Sequence, residues 1–171
     1  DGWVRAQYRP SGYLGIVLKG GIEERDPDRY DVALGDSLGQ NSLMRKYNMA
    51  YRYRQYSEAM ANVALGSLPV SLGFSGFYAD DEYNRSEIGL RKGLDRRFGV
   101  DLSWTVTDKV TAYATAGREK ISADTSGSSV FAAPDWNGRV RDDFTSGSVG
   151  LRMQLAEGVT PTDAVLVVTE M

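Results

Sequence analysis

The sequence predicts an all-β fold: one segment of an antiparallel up-and-down transmembrane β-barrel, with about eight strands, short periplasmic turns and long extracellular loops. Three observations predict it. Period-two patterning and turn chemistry mark eight strand candidates in the 171-residue chain. The connections between these stretches alternate short and long, as in outer-membrane barrels, where tight turns gather at one end and longer loops at the other. No amphipathic helix or second apolar sheet face is present to cover the first, a partner that every soluble sheet needs.

Residues 3–8 form the first candidate strand, and Arg9-Pro10-Ser11-Gly12 turns the chain. In residues 13–23, Leu14, Ile16, Leu18 and Ile22 share one face and Tyr13, Lys19 and Glu23 the other. Residues 24–56 are a polar stretch with room for a strand extension at 47–53. Residues 57–65 set Ala59, Ala61, Val63 and Leu65 against Glu58, Met60 and Asn62. Gly66-Ser67-Leu68-Pro69 then turns the chain, because proline cannot donate to a ladder and glycine tolerates positive φ. The fourth strand, 70–78, places Val70, Leu72 and Phe74 opposite Ser71, Gly73 and Ser75. An acidic loop is expected over 79–95. The fifth strand, 97–106, has the cleanest alternation: Phe98, Val100, Leu102 and Trp104 against Arg97, Gly99, Asp101 and Ser103. A short turn at Thr107-Asp108 leads into the sixth, 109–121, and a long polar loop over 122–141 into the seventh, 142–155. The seventh sets Val149, Leu151 and Met153 against Arg152 and Gln154. An eighth, 163–169, is apolar on both faces.

Composition removes whole classes of chemistry. The net charge of −3 leaves no basic arm to release counterions from phosphates, so no nucleic acid is expected as a partner. With no cysteine and no histidine, disulfides, thiolate zinc sites, Ser-His-Asp triads and CxxCH haem attachment are all excluded. Carboxylate or carbonyl metal sites and carboxylate, lysine or tyrosine chemistry stay open. The longest aliphatic run, 164–168, is far short of the ~20 residues a spanning helix needs. The first residues show no basic stretch followed by an apolar one, so no secretory signal is read in this chain.

Three motifs, Met44-Arg45-Lys46-Tyr47, the segment 76–90 with its YxxDxY…SExGL pattern, and Pro134-Asp135-Trp136, resemble the MtrB/PioB family of decahaem-associated outer-membrane barrels. The resemblance extends over about residues 43–155, and the middle motif is the most specific. It implies a bacterial outer-membrane location and a large barrel that encloses a multihaem c-type cytochrome as an insulating sleeve, without enzymatic activity or a cofactor of its own. It also implies that residues 1–171 are a single segment of a barrel with more strands. Strand polarity agrees with that. If the short turns are periplasmic, both chain ends fall on the outer side, whereas complete barrels normally have both termini in the periplasm. The family's N-terminal cysteine motif is absent.

The alternation assigns residues to two surroundings. Val70, Leu72, Phe74, Phe98, Val100, Leu102, Trp104, Val149, Leu151 and Met153 are expected to face outer-membrane lipid. Arg97, Asp101, Lys109, Tyr113, Arg152 and Gln154 are expected to face the lumen, where on the family resemblance they touch the enclosed cytochrome; their bland role is to keep a watery interior wet. Trp3, Trp104, Tyr78 and Phe98 sit near strand ends, as interfacial girdle aromatics do. Asp80, Asp81, Glu82 and Asp95 invite a calcium reading, but lack EF-hand spacing, so solvated loop charge is the plainer account. Arg118, Glu119 and Lys120 read as a charged rim, not as an acid and base, because no pocket motif accompanies them. A general diffusion porin and a soluble all-β binding module remain as alternatives.

Overall fold

The computed structural model describes residues 1–27, 39 and 41–153, and the backbone of 162–170. Every regular element among the described residues is a strand: β1 (Gly2–Ser11), β2 (Leu14–Arg25), β3 (Met44–Arg45), β4 (Arg52–Ala64), β5 (Val70–Glu82), β6 (Ile88–Thr107), β7 (Val110–Gly127), β8 (Trp136–Met153) and β9 (Thr162–Glu170). Eight of them form one antiparallel meander in the order β1-β2-β4-β5-β6-β7-β8-β9, and β3 pairs in parallel with the start of β6. The sheet does not close on itself, so β1 and β9 are its edges.

Register shows how the sequence sorts its two faces. Because residues directly opposite share a face, Leu14, Val63, Leu72, Leu102, Ala114 and Val149 line up as one apolar row across six strands. One residue away, Gly15, Asn62, Gly73, Asp101, Thr115 and Ser148 form a row of small and polar residues on the other face. Nothing among the described residues packs on the apolar side. Phe98 is 58% exposed, Val149 51% and Leu102 38%. The buried apolar side chains, Ala50, Ala79, Tyr83 and Ile88, sit instead at the long-loop end, so the middle of the sheet has no protein core of its own.

The strands run further than expected. β6 has 20 residues, and β7 and β8 have 18 each, about twice the ~9–11 that a tilted strand needs to cross hydrocarbon. The extra length lies at the long-loop end and consumes most of the expected loops. The connection after β5 is only 83–87, not 79–95, and that after β7 is 128–135, not 122–141. Charged residues on both faces hide the period-two signal there. They are nevertheless good strand residues, because they pair across the ladder: Lys92 Nζ lies 3.1 Å from Asp80 Oδ2 and Arg97 Nε 2.8 Å from Glu119 Oε1, while Arg139 pairs with Asp124.

β3 has no counterpart in the sequence reading. Its approach to β6 depends on Gly89, which has φ +112° and lies where a Cβ would meet the Arg45 carbonyl oxygen at 2.5 Å. No other residue type tolerates both conditions. Lys109 is a correction: it occupies the β6–β7 turn, where its N–H donates to Thr107 Oγ1 at 3.3 Å, and does not stand on the strand wall. Gln154 lies outside the described residues. The eighth expected strand is found as β9.

Candidate functional site

The ten residues assigned to lipid all project from one face. Val70 stands opposite Trp104, Leu72 opposite Leu102 and Phe74 opposite Val100; Ala112 and Ala114 carry that face on to Leu151 and Val149, and Val110 stands opposite Met153. Phe98 and Tyr78 belong to this face too. Trp3 does not. It shares the other face with Lys19, whose Nζ lies 5.9 Å from the indole centroid, so it is no girdle residue here: it pairs with Gly21, one step out of phase with Val4 and Gly20.

Arg97, Asp101, Tyr113 and Arg152 share the opposite, polar face, in register with Glu119, Thr115, Ser103 and Thr111. Arg97 is the hub of a charged cluster: its guanidinium pairs with Asp95 and Glu119 and lies 5.0 Å from the Phe77 ring centroid. Along mid-strand this face is low. Gly99 leaves room for Ser75 Oγ, 2.6 Å from where a Cβ would stand, and the Tyr113 ring lies over Gly150. Thr115 Oγ1 and Ser148 Oγ are 2.6 Å apart.

At the long-loop end the same face becomes a buried ion network. Asp81 accepts from Arg54 Nε at 2.6 Å and Nη2 at 2.8 Å; Arg52 lies 4.0 Å away and holds Glu23 at 3.0 Å. Arg25 donates to the Ala50 carbonyl at 3.2 Å and to the Tyr47 carbonyl, which fastens the segment before β4 against the sheet. Burial, and next the Asp81 carboxylate, push the Tyr83 phenol above its ordinary value. The sequence signal for this network was available in the same-face spacing of Arg52 and Arg54, hidden in a stretch read as polar loop.

The suspected calcium cluster disperses by strand alternation. Asp80 goes to Lys92 on one face, while Asp81 and Asp95 go to Arg54 and Arg97 on the other. Glu119 and Lys120 likewise part, the first to Arg97 and the second to Asp143. Among the described residues no three carboxylates gather as a metal site.

The three motifs quoted for the family resemblance, distant in sequence, converge in space. Met44, Arg45 and Tyr47, then Ile88, Gly89 and Leu90, then Trp136 line one cavity of about 570 Å³. Thr125 and Gly127, on the polar face of β7, complete it, so it continues that face at the long-loop end. Asn41 Nδ2 donates to the Ala132 carbonyl at 3.1 Å, joining the two loops above it. Phe131 and Tyr47 are 73% and 68% exposed, leaving an aromatic rim.

Comparison with known proteins fits this construction. The family model described as "Putative outer membrane beta-barrel porin, MtrB/PioB" matches residues 1–160. The chain is 31% identical over 141 residues to "Outer membrane protein MtrB" of Shewanella baltica (strain OS185), covering 82% of this chain and 20% of that protein. It therefore spans about one fifth of that relative's length.

Proposed function

The chain belongs to the MtrB/PioB family of outer-membrane β-barrels, and on that premise we propose that its polar face forms part of an insulating sleeve around a multihaem c-type cytochrome. The location is the outer membrane, and the family is a porin-like barrel, not a class of enzyme. The observation that carries the proposal is the wall itself. A small closed barrel fills its interior with bulky side chains, whereas most mid-strand positions on this face are small, Gly73, Ser75, Gly99, Ser103 and Ser148, with Asp101 and Tyr113 the larger ones among them, which leaves space beside the wall for a guest. The aromatic cavity at the outer end favours a protein guest over plain water, because an open aqueous channel has no use for an apolar contact surface at its mouth.

The role is passive. The wall keeps lipid away and holds the guest across a hydrocarbon layer ~30 Å thick, while the haems carry the electrons. Arg97, Asp101, Tyr113 and Arg152 supply the polar contacts. With no histidine or cysteine, the chain itself does not ligate haem in the usual way. Purifying the complete barrel from outer membranes tests this: haem absorbance should follow it through size exclusion at fixed ratio, and the guest-free barrel should be unstable or leaky. A haem-free barrel that is fully stable and conducts ions as a steady open pore would favour the diffusion-porin reading instead.

A further inference from the structure

We propose that the outward face just above the apolar belt is a binding site for the phosphate groups of outer-leaflet glycolipid, formed by Arg96, Arg118, Lys120 and Arg141. The inference rests on the assignment of the apolar face to lipid. On β6 the unbroken run of apolar outward residues ends at Phe98; Arg96 follows two positions on, about 7 Å further along the strand, with a single Leu94 beyond it, and Arg118 stands opposite Phe98 itself. Headgroups lie at that level.

Charge is arranged unevenly between the two faces at this height. On the polar face Arg97 is matched by Asp95 and Glu119. On the outward face Arg96 stands directly opposite Lys120, a like-charge pair that destabilises an isolated ladder. Asp143 is shared by Lys120 and Arg118, at 3.1 and 2.7 Å. Arg96 has only the Tyr78 ring, 5.8 Å away, and neither it nor Arg141 makes an ion pair among the described residues. Arg96, Lys120 and Arg141, with Lys92 and Arg139, line an open groove of about 510 Å³ in which these cations outnumber the carboxylates Asp124, Asp142 and Asp143, and Arg118 stands beside it, joined through Asp143. Arginine forks and lysine ammonium groups both suit phosphate oxygens, and a phosphorylated headgroup entering the groove would relieve the Arg96–Lys120 repulsion.

Native mass spectrometry of the complete barrel in detergent tests this, with bis-phosphorylated lipid A, its dephosphorylated form and inorganic phosphate as probes. The phosphorylated lipid should bind preferentially; R141S should weaken it about tenfold, on the order of one lost charge-assisted contact, and R96S/K120S, which removes two cations, about a hundredfold. Arg97→Ser, on the other face, should leave it unchanged. Equal binding of the dephosphorylated lipid, full retention by both variants, or equal competition by inorganic phosphate would overturn the site. The first of these needs no variant and so is independent of folding. A spin label at Val100 separates the two assignments: lipid contact there without phosphate preference rejects the headgroup site alone, and no lipid contact rejects the face assignment beneath it.

Discussion

Leu102→Arg should oppose insertion of the complete barrel into vesicles by about 2 to 4 kcal/mol, the cost of a cation on a lipid-facing strand near the bilayer midplane. Leu102 sits in the central apolar row between Leu72 and Ala114, with no polar neighbour to which a guanidinium could turn. Ser103→Arg, one residue along on the polar face, should cost little, because on the proposed sleeve reading that side faces water or a protein guest. Urea titration of the vesicle-inserted barrel, followed by heat-modifiable gel mobility, reads the difference between the two variants. The contrast matters more than either value. Equal losses from both substitutions would mean that the faces are not distinguished by their solvent.

Asp81→Ala is expected to cost about 3 kcal/mol, the lower end of the range for removing one partner of a buried ion pair. The Asp81 side chain is 13% exposed, and those of Arg54 and Arg52 are 27% and 19%. Without the carboxylate, Arg54 loses both of its hydrogen bonds and stays half-buried beside Arg52, which keeps only Glu23. The effect should be local, since the network lies beyond the apolar belt. Trypsin should cut faster at Arg45 and Lys46, where the segment pinned by Arg25 loosens, while insertion into vesicles is preserved. Unchanged cleavage would show that the network does not hold this segment.

The parts of the fold that were legible in the sequence are those where the two faces differ in polarity. From Phe98 to Trp104 the outward residues are all apolar and the inward ones polar or small, and the expected strand and face agree with the register. Beyond Phe98 both faces carry charged residues, so Arg96 and Arg97 look alike in sequence although one stands opposite Lys120 and the other pairs with Asp95 and Glu119. That is why the strand extensions read as loops. β3 was hidden for another reason: two residues pairing in parallel with Ile88 and Gly89 depend on a glycine conformation that carries no period. Trp3 was misplaced because an aromatic at a strand end reads the same whichever way it points. The site was legible only as motifs; their meeting around one cavity required the long-range pairing of β3 with β6.

Accessibility of spin labels at Val100 and Val149 in the membrane-inserted barrel tests the central claim most directly. Both labels should be relaxed strongly by oxygen dissolved in lipid and weakly by a water-soluble paramagnetic reagent. Strong relaxation by the aqueous reagent, or protection from both, would contradict it, since these side chains would then be in water or under protein.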